Sequence, residues 1–254
     1  MIFYIIHGIE NLNNTHKNEI QKSTLDILLQ DKIEQNKGAL KETLDSTLQE
    51  ELFCLEEIKK SISHCKNNIA ELNKQIGKTD ISHVTRLSEF KAAFEDNLVI
   101  WNTLGHIQLA SIEMKEYTKR LSVNKDNWER HETIKAAYTS IYETSKRIID
   151  STAKVMKFIN SKYPHYDSAT FKDIRRDLTK FREDNSEMLK STRNAISAHR
   201  DEDVCTQIEM IENIGLADAV QLIIEYEHIL NELGTAVSPV KQLGICQLQS
   251  VFGK

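Results

Sequence analysis

The sequence predicts an all-α protein, an up-and-down four-helix bundle preceded by a long helix or helical hairpin, and three observations predict it. Only eight Gly and two Pro occur in 254 residues, too few turn formers for the many short connections of an all-β fold. Apolar residues make up 40% and charged residues 28% of the chain, with Leu, Ile, Lys, Glu and Ala dominant, a composition that favours long helices. Finally, apolar side chains recur at spacings of three and four along most of the chain, the period of an amphipathic helix. A chain of this length buries enough surface to fold without a metal or disulfide staple.

The apolar start, Met1 to Ile6, is too short to cross a bilayer, lacks a basic leader and runs into the polar stretch Asn11 to Asn14. The expectation is a cytoplasmic protein with no membrane segment. Cys54, Cys65, Cys205 and Cys246 lie far apart without metal-type spacing, which fits a reducing compartment and offers no metal site or cofactor site.

Residues 1–77 read as an amphipathic arm. From Lys41 to Ile76 the positions Lys41, Leu44, Leu48, Glu51, Leu55, Ile58, Ile62, Cys65, Ile69, Leu72 and Ile76 alternate spacings of three and four, and nine of the eleven are apolar. Such a narrow stripe demands a partner helix, as in a coiled coil or hairpin. Ile20, Leu25, Leu28, Leu29 and Ile33 supply that partner if Gly38 breaks the helix, or continue it if Gly38 does not. His64 and Cys65 read as packing residues. Gly77 to Asp80 then stops the helix, with Asp80 or Ser82 as the next N-cap.

Residues 81–235 read as the bundle. Its first segment carries Leu87, Phe90, Phe94, Leu98, Trp101, Leu104, Ile107, Ala110, Met114, Tyr117 and Leu121, with a bend expected at Asn102 to Gly105. The second begins after Asp126-Asn127, shows Ile134, Tyr138, Ile141, Ile148, Val155 and Ile159 on one face, and closes at Tyr163-Pro164. A third opens near Ser168 with Phe171, Ile174, Leu178 and Phe181 and runs through Arg193 toward His199. The fourth spans about Asp203 to Leu233, interrupted near Gly215, and residues 236–254 form a C-terminal tail with little periodicity. Trp101 and Trp128 read as core or interface residues, and His106, His131 and His228 as helix-face histidines without metal-site companions.

A net charge of −5 excludes a general nucleic-acid packaging role, but the charge is unevenly spread. Residues 165–200 carry eight Lys or Arg against six acids, whereas residues 201–254 carry nine acids and only Lys241 and Lys254. The third helix is thus the slightly basic one. Its end, Arg193-Asn194 followed by His199, places an Arg, an Asn and a His together. Histidine can exchange a proton near neutrality, arginine offers a permanently charged fork for phosphate oxygens, and Asn194 can orient either by hydrogen bonds. That trio suits metal-free cleavage of a phosphodiester: a base for the ribose 2′-hydroxyl, an acid for the leaving oxygen and a cation for the transition-state charge. Glu143 and Asp150 are candidates to project from the second helix toward it.

Arg193-Asn194-x4-His199 near the end of a third helix resembles the Arg-x4–6-His signature of the HEPN superfamily (higher eukaryotes and prokaryotes nucleotide-binding), in which a polar residue follows the Arg. The ending Ala198-His199-Arg200-Asp201 looks like that of abortive-infection-type members. The resemblance covers about residues 81–235. It implies a metal-independent endoribonuclease acting on an RNA substrate, with its active site where two bundles of a homodimer meet, in toxin–antitoxin, CRISPR-associated or phage-defence systems, sometimes held by a protein regulator or antitoxin. Carried over, Arg193 would bind or polarise the phosphate, Asn194 would assist, and His199 would act as acid or base. Some members place a modifiable Tyr two residues after the His; here that position is Asp201. The alternative from another class is a non-catalytic helical adaptor or nucleotide-binding regulatory subunit.

Overall fold

The computed structural model describes residues 22–78, 80–123, 126–193 and 215–253. Among them the only regular elements are helices: α1 (Lys22–Ile76), α2 (Ile81–Val123), α3 (Asn127–Lys162), α4 (Ala169–Asp184), α5 (Ser186–Arg193) and α6 (Leu216–Phe252). No described helix is long and apolar enough to cross a membrane.

Gly38 and Gly105 lie inside helices, whereas Gly77 and Gly215 lie just outside helix ends, where stops were expected. α1 runs unbroken through Gly38, because Ile33 and Leu40 on either side are buried and their burial offsets the roughly 1 kcal/mol that a mid-helix glycine costs. Asn102 to Gly105 likewise lie inside an unbroken α2. A methyl group at Gly105 would sit 3.4 Å from Ile58 Cγ2 and 3.7 Å from Ile62 Cδ1 of α1, ordinary van der Waals contact, so the glycine is buried against α1 without being required there.

The C-terminal stretch corrects the expectation of an irregular tail, since α6 continues through Gly234 and Pro239 to Phe252. A proline inside a helix forfeits a backbone bond at a cost of about 3 kcal/mol. Val237 and Val240, both fully buried, supply the opposing apolar contribution. A reverse difference occurs after Phe181, where the expected single helix divides into α4 and α5 at Asn185. The Asn185 amide donates to the Phe181 carbonyl at 2.8 Å and so competes with the helical ladder.

The chain divides into two compact units, each drawing on several helices. The first comprises the described parts of residues 1–51, 110–145 and 180–228. Leu29, Leu40 and Leu48 of α1, Met114 and Leu121 of α2, Ile134, Tyr138 and Ile141 of α3, Leu189 of α5, and Ile223 and Tyr226 of α6 form its core. Asp126 starts α3 as expected, its carboxylate accepting the Glu129 N–H at 3.0 Å. α6 follows Gly215, which has no side chain to cap it, and Asp26 of α1 accepts the Ala217 N–H at 2.8 Å instead.

The second unit comprises residues 52–109, 146–179 and 229–254. Its core joins Ile58 and Cys65 of the α1 stripe to Phe94 and Ile107, to Ile148, Val155 and Ile159, to Phe171 and Leu178, and to Leu233 and Val240. Burial raises the Cys65 thiol pKa, which keeps it protonated and unreactive. His64 beside it is exposed, with its ring edge-on to Phe94 at 5.9 Å.

Within this unit Asn97 is a buried clamp, its amide donating to the carbonyls of Ala93 and Gly244 at 2.9 Å each. A β-carbon at Gly244 would lie 2.6 Å from Asn97 Oδ1 and 3.0 Å from Ile100 Cδ1. Gly244→Ala is therefore expected to lower stability by about 1–2 kcal/mol even though alanine is the better helix former, and urea unfolding measures the loss. A neutral or stabilising result would mean that the clamp yields freely.

His106, half-buried on α2, has its pKa lowered first by burial and then by the charges of Arg147 and Lys154. A histidine with a depressed folded pKa stabilises the fold above its unfolded value near 6.5, and that contribution is lost as pH falls through the folded pKa. The melting temperature should fall between pH 7.5 and pH 5, and His106→Gln should flatten that slope; an identical slope in the variant would exclude His106 as its source.

Candidate functional site

Of the three residues in the Arg-Asn-x4-His motif, the described structure contains Arg193; Asn194 and His199 lie outside the described residues, as do Asp201 and Cys205. Arg193 is the last residue of α5, an eight-residue helix anchored by buried Leu189 and Thr192 and carrying Lys190 and Arg193 in its final turn. Cations there complement the negative end of the helix dipole.

The arginine reaches α3 within the first unit. Its Nε lies 2.7 Å from Glu143 Oε1, so Glu143 meets Arg193, the one motif residue described. Both side chains are partly exposed, 38% and 47%, and a pair so placed contributes about 1 kcal/mol or less to stability. Asp150, the other acid considered, is exposed on α3 within the second unit.

The neighbouring residue, Tyr142, joins two arginines. Arg193 Cζ stands 5.3 Å from the centre of its ring and Arg182 Cζ of α4 stands 4.8 Å from the same centre. Each guanidinium so placed gains roughly 0.5–1 kcal/mol from the ring. A guanidinium held near a ring still has N–H groups to offer to phosphate oxygens. Among the described residues Arg182 makes no ion pair, whereas Arg193 has Glu143.

Phe181 and Tyr226, next to this cluster, are buried. Phe181, next to Arg182, stacks on Tyr226 of α6 with centroids 5.5 Å apart, and the Tyr226 and Thr144 hydroxyls share a hydrogen bond of 2.9 Å. Burial pushes the Tyr226 phenol far above its usual pKa, outweighing the Thr144 hydrogen bond and the Arg182 charge that pull it down, so it remains a neutral phenol. Ser140, one turn before Thr144, donates to Glu113 of α2, and burial followed by the Glu113 charge raises the Tyr117 phenol nearby.

Reasoning from the motif missed Tyr142 and Arg182. The basic character of residues 165–200 included Arg182, and Tyr142 adjoins Glu143, but nothing in their spacing pairs them. Trp101 is half-buried with Lys241 Nζ 5.7 Å from its ring centre, while Trp128 is largely exposed. The described cysteines are all free thiols. Comparison of the chain with protein-family models, curated proteins and solved structures finds no match in any of the three, so the site's chemistry is read from these residues.

Proposed function

We propose that this chain is a metal-independent endoribonuclease of HEPN type, working in the cytoplasm as a homodimer in a toxin–antitoxin, CRISPR-associated or phage-defence setting, in some states held by a protein regulator or antitoxin. The observation that carries this reading is the pair of arginines, Arg182 and Arg193, gathered on Tyr142 with Glu143 against Arg193. Among the described residues this cluster sets two guanidiniums against one contacting carboxylate, in a chain whose overall charge is −5. It suits the scissile RNA phosphate and its neighbour rather than an extended backbone.

In this proposal Arg193 neutralises charge on the phosphate as its oxygens crowd, Asn194 orients the phosphate, and His199 moves the proton. The ribose 2′-hydroxyl attacks phosphorus, its proton passes to a base, and the 5′-oxygen leaves with a proton from an acid. The two copies of His199 across a dimer cleft supply one of each. Glu143 sets the position of Arg193, and Arg182 draws in the adjoining phosphate. Incubation of purified protein with total RNA in EDTA tests the reading: wild type degrades it and His199→Ala does not.

One observation favours a second reading. The Arg193–Glu143 pair also suits an arginine that merely ties α5 to α3, as in a helical adaptor or nucleotide-binding regulatory subunit. Under that reading wild-type protein leaves every RNA intact.

A further inference from the structure

Where α1 ends and α2 begins, the second unit has a groove of about 430 Å³ lined by Gln75, Lys78, His83, Arg86, Leu87 and Phe90. Volumes of 300–1,000 Å³ are those of small-molecule sites. Three of the six lining residues carry nitrogen donors that suit an anion, two are apolar, and none is acidic. Lys78 and Arg86 form no ion pair among the described residues, unlike Lys74, whose ammonium lies 3.7 Å from Glu71, and Lys91, which lies 3.6 Å from Glu95. The nearby acids Asp80 and Glu89 are exposed outside the lining.

The apolar wall is fixed in place. Phe90 stacks on Phe252 of α6 at 4.7 Å, with the planes 12° apart, and Phe94 meets Phe252 edge-on at 5.8 Å. Arg86 Cζ lies 5.6 Å from the Phe90 ring centre, which keeps the guanidinium beside the aromatic wall. A lining that combines basic side chains with an aromatic and a leucine side chain suits a ligand carrying both an anion and a flat apolar group.

We propose that this groove binds a small phosphate monoester bearing a planar ring, its phosphate on Lys78, His83 and Arg86 and its ring against Leu87 and Phe90. Lys78 and Arg86 attract the anion, and the Arg86 fork sets its orientation. The site lies in the second unit and is independent of the cleavage reading.

Titration calorimetry on the full chain tests the proposal with phenyl phosphate and AMP as probes, and with phenol, adenosine and inorganic phosphate as their separate halves. Both monoesters should bind saturably, and each half should bind at least tenfold more weakly. Arg86→Gln and Lys78→Gln should each weaken monoester binding several-fold, and the double variant at least tenfold. Both side chains are exposed, so circular dichroism and the melting temperature should not change. Failure of both monoesters to bind at millimolar concentration overturns the proposal, as does binding that the double variant leaves intact. Phosphate binding as tightly as its esters would remove the ring from the site and equally overturn it.

Discussion

Lys115→Met is expected to destabilise the protein by about 3–5 kcal/mol, the cost of removing one partner from a buried ion pair. The Lys115 side chain is 8% exposed, with Nζ 2.5 Å from Glu51 Oε1 and 2.6 Å from Glu227 Oε1. It also donates to Ser111 Oγ at 2.7 Å, and Ser111 donates to Glu51 at 3.0 Å. Three helices of the first unit thus meet on one ammonium. Burial alone would pull its pKa down, but the charges and hydrogen bonds of Glu227 and Glu51 together outweigh that and hold it above the usual lysine value. Methionine fills much of the same volume, so the loss comes from two half-buried carboxylates deprived of the Lys115 ammonium rather than from a cavity. The triple variant Lys115→Met, Glu51→Leu, Glu227→Leu should recover most of the stability, because an apolar replacement of the whole cluster leaves no charge to desolvate. Urea unfolding of the three proteins reads both effects. A single-variant loss below about 1 kcal/mol would show that solvent already reaches the cluster.

Glu51 marks how far a sequence reading can go. The 3.5-residue stripe of residues 41–76 is real, with Leu48, Ile58 and Cys65 buried and most of its other apolar members half-buried. Periodicity is local information, and a helix needs nothing further to show its inner face. The one acid in the stripe's interior was visible as an exception, but its cation lies 64 positions later, and long-range pairing leaves no periodic trace. The same limit hid Arg182 and Tyr142, which are 40 residues apart. Glycine and proline misled for another reason. Their cost in a helix is only about 1–3 kcal/mol, and tertiary burial at Gly105, Val237 and Val240 overrides it. The α3 ends, by contrast, were legible because Asp126 and Tyr163-Pro164 act through bonds and clashes with their immediate neighbours.

Under the proposed function, Arg193→Ala and His199→Ala should each lower RNA cleavage in EDTA by about 10²–10⁴-fold, the range for losing a transition-state cation or a general acid–base group. Among the described residues Arg193 makes a partly exposed ion pair and a ring contact, so helicity and dimerisation should survive Arg193→Ala, and circular dichroism of the variant separates loss of activity from unfolding. Arg193→Lys should recover little, since an ammonium lacks the planar fork that pairs with two oxygens. Arg182→Ala should behave differently, raising KM more than it lowers kcat and shallowing the dependence of RNA binding on salt, because it grips a phosphate that does not react. Tyr142→Leu removes the ring common to both arginines and should combine the two defects, whereas Tyr142→Phe keeps the ring and should cleave as wild type does. Cleavage unchanged in both Arg193→Ala and His199→Ala would end the nuclease reading and leave Arg193 as a tie between α5 and α3. Cleavage lost in Arg193→Ala but retained in His199→Ala would keep the cationic cluster and move the proton transfer to another residue.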